Sequence, residues 1–475
     1  MKAYYSIAIA AAALVLSGCT VGPDYKRPQV AVPASFRAPQ ATEAPLAESQ
    51  AASLADLKWF EVFRDPQLQD LIKVALEQNY DLRDAVARVD EARANLGITR
   101  SNQYPQVSAS GDLQFTRLSR DGQFPLPSSF VANQNRNWGE AALNLLSFQI
   151  DLWGQLRRAT EGARANLLSA DWNRKTVITT VVSQVAADYF QLLELDSELE
   201  ISRSTLATRR ESLQLTNDRQ GHGIATLLDV RQAEQLVDST AESIPQLEQQ
   251  IEQTEDQISL LLGKSPGNIE RARTFTADYV PPEVAAGLPS ALLERRPDIR
   301  AAEEALVAAN ANIGVAKAAY FPQISLTGSI GGQSSSLATL FAGPAAAWSF
   351  VPQLTQPIFT AGRLKNNVRL ARAQREDAQI AWEKSISTAF QEVSDALIAH
   401  QRTRESRVEQ EKLVTALEDR KRLAYARYQG GVDTQLNALD ADRDLLSAEL
   451  TLEQVRYAEL VSVVQLYKAL GGGWH

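Results

Sequence analysis

The chain has 475 residues, 44% of them hydrophobic and 22% charged, enough for one large domain or several small ones. One Cys, one Met and three His exclude an intrachain disulfide and leave no Cys/His cluster for a structural zinc. A net charge of −9 argues against nucleic acid as a partner.

At the N-terminus Lys2 precedes a short apolar run, Ile7 to Leu16, which is too short to span a bilayer. Leu16-Ser17-Gly18-Cys19 follows. This pattern predicts a secretory signal peptide over 1–18, ending in a lipoprotein cleavage box whose Cys19 takes the lipid. The single cysteine of the chain stands where that box needs it. Acyl chains contribute ~0.8 kcal/mol per buried methylene, and stable anchoring takes more than one. Thr20, where an Asp would resemble an inner-membrane retention signal, favours the outer membrane. Beyond the signal no run of ~18 uncharged apolar residues occurs, so any membrane crossing has to be made by strands.

The remainder is written twice. Asp81–Gly111 aligns with Asp298–Gly328, with pairs such as Leu96/Ile313, Tyr104/Phe321 and Val107/Ile324. Further matches follow in order: Gly154/Gly362, Gly223/Gly431, and Leu262-Gly263 with Leu470-Gly471. Each half reads as a short helix ended near Pro105 or Pro322, two strands, a very long helix, a glycine turn and a second long helix. In the first half Val107, Ala109, Leu113 and Phe115 alternate with Ser108, Ser110, Asp112, Gln114 and Thr116. Ile324, Leu326 and Ile330 alternate with Ser325, Thr327 and Ser329 in the second. Such alternation suits a water-filled membrane barrel and equally a half-buried soluble sheet. The partner strands are rougher: alternation over Trp138–Leu152 slips near Leu145-Leu146, which predicts a bulge, and Pro352 and Pro357 predict irregular ends for Ala347–Ile358. Four strands cannot close a barrel, so strands in lipid would demand an oligomer.

From Gln155 to Gln220 there is no Pro, and Ile178, Val185, Leu192, Leu199, Leu206 and Leu213 recur every seven residues. At ~1.5 Å per residue this helix is about 100 Å long. Val230, Ala233, Val237, Thr240, Ile244, Leu247, Ile251, Thr254, Ile258 and Leu261 form the heptad seam of its return partner, which Pro245 should bend or rob of one hydrogen bond. The short turn Gly221-His222-Gly223 makes the pair antiparallel. The second half repeats this over Arg363–Tyr428 and Thr434–Leu470, with Ile386, Phe390, Val393 and Leu397 in the seam. Long heptads alone also fit a fibrous rod, but a rod leaves the matched strand pairs unexplained.

These residues resemble the TolC-like outer-membrane factors of tripartite efflux pumps, in particular their lipoprotein branch. The resemblance covers nearly all of the chain after the signal. It is carried by Leu288-Pro289-Ser290 with Leu292-Leu293-Glu294-Arg295-Arg296-Pro297-Asp298-Ile299-Arg300, by Val21-Gly22-Pro23-Asp24-Tyr25, Tyr320-Phe321-Pro322, Gly430-Gly431-Val432, Leu439-Asp440-Ala441, and by Tyr467-Lys468-Ala469-Leu470 with its Gly-Gly-Gly-Trp tail ending at Trp474. It implies a mainly α-helical, internally duplicated chain with a β membrane part. Three copies would form a homotrimer with a twelve-stranded outer-membrane β-barrel, continued across the periplasm by a twelve-helix α-barrel. The implied organisation is a lipid-anchored N-terminal segment with part of a belt over 19–66, a first repeat over 67–263, a linker and second belt segment over 264–288, a second repeat over 289–471 and a tail over 472–475. The belt would be built by segments near Leu57–Phe63 and Asn268–Pro289.

The glycine turns would form the periplasmic tip, facing a periplasmic adaptor (membrane fusion) protein and an inner-membrane RND-type transporter. By the same resemblance Leu436 and Asp440 match the apolar and acidic rings of the gate, and Tyr428 and Asp229 match a hydrogen-bonded lock between the two hairpins. Asp433 stands where some relatives carry a lock arginine, and Asn437 replaces an acidic ring member of others. The expected activity is passive, gated conduction of small molecules such as drugs. The rival readings are a type I protein-secretion channel and a structural periplasmic lipoprotein without a pore. No nucleophile elbow, phosphate loop or metal motif points to an enzyme or a cofactor. Arg295 and Arg296 read as a structural motif.

Overall fold

The computed structural model describes residues 20–33, 35–37, 54, 57–117, 135–271 and 291–474. Cys19 lies outside them, as does most of the segment 268–289. The elements run α1 (Trp59–Val62), α2 (Pro66–Gln78), α3 (Tyr80–Ser101), β1 (Val107–Arg117), β2 (Asn135–Ile150), α4 (Gln155–Gly221) and α5 (Leu227–Leu261). The order then recurs as α6 (Leu292–Arg295), α7 (Pro297–Ala318), β3 (Gln323–Ser334), β4 (Ala346–Thr355), α8 (Arg363–Gln429) and α9 (Gln435–Ala469). Helix, strand pair and long hairpin therefore occur twice, as the internal repeat predicts. Helices α4 and α8 are 67 residues each, and α5 and α9 are 35 each. Among the described residues no helix is long and apolar enough to cross a membrane.

The chain divides into two compact units, the first made of residues up to 28, 89–169 and 302–381. Its centre is an antiparallel sheet in the order β1-β2-β3-β4. The register explains the alternation in the sequence. Val107 faces Leu145, Ala109 faces Leu143, Leu143 faces Ile330, and Ile330 faces Trp348, so one continuous face is apolar. The other face carries Ser110, Asn144, Ser329 and Ser349, with Asn144 Nδ2 donating to Ser110 Oγ at 2.8 Å and the Ser329 and Ser349 hydroxyls 2.8 Å apart. The expected slip in β2 is a register shift between Leu145 and Phe148, which returns Phe148 and Ile150 to the apolar face opposite Leu326 and Ile324. The strand expected over Ala347–Ile358 ends at Thr355, short of Pro357, and Pro352 is tolerated because β4 is an edge strand. Phe115, Trp348 and Leu354 are largely exposed on a sheet whose outer strands β1 and β4 each have an open edge. Soluble proteins avoid that combination.

In the same unit an N-terminal strap, residues 20–28, is tied down residue by residue. Val21 N donates to Trp153 O at 3.0 Å, and the Asp24 carboxylate meets Arg158 Nη2 at 2.6 Å. Glu303 accepts from Tyr25 at 3.3 Å and from Arg27 at 2.9 Å. Burial first, and then the Glu303 carboxylate, push the Tyr25 hydroxyl up to about 12. Gly22 sits at φ +118° with its Cα face 2.5 Å, measured from an ideal Cβ, from Gly314 Cα on α7. Only two glycines allow backbones so close. Gly22→Ala is expected to lift the strap at a cost of about 1–3 kcal/mol. The measurement is trypsin cleavage after Lys26, which should become faster; unchanged cleavage would refute the contact.

The second unit comprises 29–88, 170–301 and 382–475. Its core joins Tyr189, Phe190 and Leu192 of α4 to Ile258 of α5, Val464, Leu466 and Tyr467 of α9, and Trp59, Phe63, Leu68 and Ile72 near the N-terminus. Asp65 caps α2 through Gln67 N at 2.8 Å and also accepts from Tyr189 at 3.2 Å. The Tyr467 hydroxyl donates to Leu57 O at 2.9 Å. Segment Leu57–Phe63 is thereby packed against the helices. The expected heptad seam of α5 is real: Val230, Ala233, Val237, Thr240, Ile251, Thr254 and Ile258 are buried. Helix α5 runs on through Pro245 without interruption, so that proline costs a backbone hydrogen bond but does not end the helix.

Candidate functional site

The two helical turns of the second unit carry the sequence-predicted site residues, Asp229 after the first turn and Tyr428, Leu436 and Asp440 around the second. Both are closed by a left-handed glycine, Gly223 at φ +75° and Gly431 at φ +72°. Ile224 N reaches back to Arg219 O at 2.8 Å, and Val432 N to Arg427 O at 3.1 Å. Their helix caps differ. Thr226 and Asp229 form a capping box, with Asp229 Oδ2 accepting from Thr226 N at 2.7 Å and Thr226 Oγ1 accepting from Asp229 N at 3.2 Å. Thr434 makes no such bond. There the Asp433 carboxylate accepts from Thr434 N at 2.8 Å, Asn437 Nδ2 at 2.7 Å and Arg427 Nε at 3.0 Å. The Arg427 bond foremost, then Asn437 and Thr434, hold the Asp433 carboxyl below the usual aspartate range. The departures at 433 and 437 thus belong to one local network that closes the second turn.

Leu436 is exposed and Asp440 half-exposed, one helical turn apart on α9, with Arg443 Nη1 3.2 Å from the Asp440 carboxylate. The Tyr428 hydroxyl donates to Gln435 Oε1 at 3.4 Å, and Arg219 lies 4.7 Å over its ring. Gln435 Nε2 in turn donates to Thr216 Oγ1 on α4 at 2.9 Å. Within the single chain, then, Tyr428 is linked to the first hairpin through Gln435, Thr216 and Arg219, and Asp229 serves its own helix cap. Gln435, Thr216 and Arg219 were not singled out from sequence; the signal was Gln435 at the first position of a buried helix face.

A second set also went unnoticed in the sequence. Asp442 of α9 accepts from Arg209 Nε of α4 at 2.7 Å, and Lys421 Nζ of α8 lies 2.6 Å from its other oxygen, an ion pair without hydrogen-bond angles. Arg209 also donates to Leu236 O at 3.2 Å and to Thr240 Oγ1 on α5. One buried ionic node therefore ties all four long helices together. Beyond it the turns expose Ile224, Leu227, Leu228 and Val432. Among the described residues no group of three His, Cys, Asp or Glu side chains could hold a metal ion.

A duplicated chain that presents an open-edged sheet with one apolar face, and long helical hairpins ending in apolar-tipped turns, has the parts of a membrane export channel. The chain belongs to the outer membrane efflux protein family, whose model matches residues 71–264 and again 288–472. It is 38% identical over 474 residues to the toluene efflux pump outer membrane protein TtgC of Pseudomonas putida, covering 99% of this chain and 96% of that one. With the cation efflux system protein CusC of Escherichia coli K12 it shares 35% identity, over 97% of this chain and 98% of the relative. Its fold matches the open state of the Neisseria gonorrhoeae MtrE outer membrane channel with a TM-score of 0.84 at 31% identity, covering 96% of this chain and 99% of that one. The protein is an outer-membrane channel of an efflux pump, extending into the periplasm, and is not an enzyme.

Proposed function

We propose that the protein acts as a homotrimer in which β4 of one copy pairs with β1 of the next. The observation that carries this is the four-stranded sheet with an apolar face and two open edges. Backbone groups on an edge in lipid have to be paired, and closure does so. Three copies give a twelve-stranded barrel with the serine-lined face inward, and the long helices carry the duct through the periplasm. Cys19 anchors the chain to the outer membrane by its acyl chains. The conducted cargo is small molecules, as the names of relatives that export toluene and cations suggest. Energy comes from an inner-membrane RND-type transporter, and a periplasmic adaptor seats on the apolar residues of the turns.

The turns also form the gate. Three copies of Leu436 make an apolar ring, and three Asp440 carboxylates a cation-favouring ring one turn away. Tyr428 and Asp229 lock neighbouring hairpins, Asp229 using its Oδ1 because its capping contacts run through Oδ2. Opening requires the hairpins to splay, and partner contacts stabilise that state. Asp440→Ala combined with Tyr428→Phe is expected to raise leak conductance in planar bilayers. Unchanged closed-state conductance would sink the gate assignment, and a monomer without conductance would sink the pore.

A further inference from the structure

Above the turns, α4 and α9 bury three carboxylates against one another. Glu194 and Glu198 are each 6% exposed and Glu453 is 5% exposed. Glu194 and Glu198 lie one helical turn apart, with their carboxyl groups within hydrogen-bonding reach of each other. Glu198 accepts from Gln454 Nε2 at 2.9 Å. Glu453 faces Ser197 and pairs with Arg456 at 2.7 Å, and its Oε2 is buried without a hydrogen-bond partner. The nearby charges include Glu449, one helical turn before Glu453 on α9, whose carboxyl is held above the usual glutamate range by burial first, with Lys421 of α8 opposing and Glu418, Asp442 and Glu453 adding to the rise. Arg456 is shared with Glu411 of α8 at 3.8 Å, while Arg407 of α8 is committed to Glu459 and Glu411. Asp188, further along α4, is bonded by Gln184 and by Gln257 of α5, and Tyr457 of α9 lies within reach of both Asp188 and Glu194.

Three buried carboxylates facing one shared guanidinium cannot all be ionised at neutral pH. Something must neutralise them, and among the described residues no such cluster has the geometry to hold a metal ion. A proton is the remaining ligand. We infer that the Glu194–Glu198–Glu453 cluster binds a proton in the closed channel and releases it when α9 moves away from α4, so that gate opening is coupled to pH. The coupling rests on the gate reading above; the proton site does not.

Burial, then the charge and hydrogen bond of Glu198 and the charge of Glu453, raise the Glu194 carboxyl to about 8. When the helices part, water enters, the carboxylates separate and the group falls back toward its ordinary 4.5. The closed form thus binds more protons than the open form between those two values. Raising the pH through that window favours opening, by up to about tenfold per unit for one proton, and has no further effect above it.

The test uses the full detergent-purified protein in planar bilayers with Asp440→Asn, which removes titration of the proposed ring. Open probability should rise roughly tenfold or more from pH 6 to pH 8. Adding Glu194→Gln, isosteric with the protonated acid, should flatten the response while the oligomer keeps its size. An equal rise in both proteins would overturn the coupling. The infrared carbonyl band of a protonated carboxyl should be present at pH 7 in the parent and lost in Glu194→Gln. Its absence from the parent would overturn the proton site. A bilayer silent at every pH would overturn the channel reading and the coupling with it, and the infrared band then decides the proton site alone.

Discussion

Arg296→Met is expected to lower the melting temperature of the detergent-solubilised protein by roughly 5 °C. Arg296 precedes Pro297, which pushes its backbone out of the helical region to ψ 119° and separates α6 from α7. Its side chain is thereby turned inward and is buried. The guanidinium forks onto Asp298 at 3.0 and 2.6 Å and meets Glu392 of α8 at 2.6 Å and the Ala469 carbonyl at 3.0 Å. One planar group thus fastens the start of the second repeat to both of its long helices. Removing it strands two carboxylates and a carbonyl. Because Asp298 and Glu392 are partly exposed and can rehydrate, the loss belongs at the low end of a broken buried pair, about 3 kcal/mol. Arg296→Lys should recover only part of it, since one ammonium cannot reproduce the fork. A methionine variant that melts with the parent would show that the cluster is decorative.

The motif around Arg296 was legible as a structural one, and so was most of the architecture. Strand and helix boundaries follow from local physics: alternation for Val107–Phe115, prolines before and within strands, an unbroken heptad from Gln155, glycines at 223 and 431. Even the bulge in β2 shows as a lost beat at Leu145-Leu146. Pro245 costs the helix one donor, as its sequence position implies, and a long helix packed along a seam retains its register past it.

Contacts between distant helices were not legible. Asp442 and Arg209 are 233 residues apart, and Gln435 and Thr216 are 219 apart. Nothing in the periodicity of one helix states how far it is shifted along its neighbour. What the sequence did contain was a warning: Asp442 lies on the buried face with Ala438, Leu439, Leu445 and Ala448, and Glu194 and Glu198 sit beside the apolar seam residues Leu192 and Leu199. A charge on a seam demands a buried partner. The partner's identity waits for the fold. Likewise Asp433 and Asn437 look like losses from a gate until the second turn is seen to lack the capping box of the first, and to need them.

Asp442→Leu is expected to destabilise the second unit by about 3–5 kcal/mol, because it strands Arg209 in the interior with its main counter-charge gone. Arg209 is 5% exposed and cannot turn to water. Lys421 is 26% exposed and can. The double variant Arg209→Leu with Asp442→Leu should therefore be far milder than either single change, so that the two substitutions are strongly non-additive. Since Arg209 also holds Leu236 O and Thr240 of α5, the loss should be felt on all four helices at once. The node lies about 18 Å along α4 from Gly221. Between it and the tips the hairpins are joined by the Gln435–Thr216 bond and the Arg219–Tyr428 contact. Amide hydrogen exchange at 221–226 and 430–434 should therefore accelerate together in Asp442→Leu and return toward the parent rate in the double variant. Acceleration at one turn only would mean that the hairpins are fastened separately. A double variant as unstable as the single would mean that packing around Asp442, and not its charge, holds them. If both turns respond and the double variant recovers, this node fastens both hairpins, and any splaying that parts α9 from α4 has to break it.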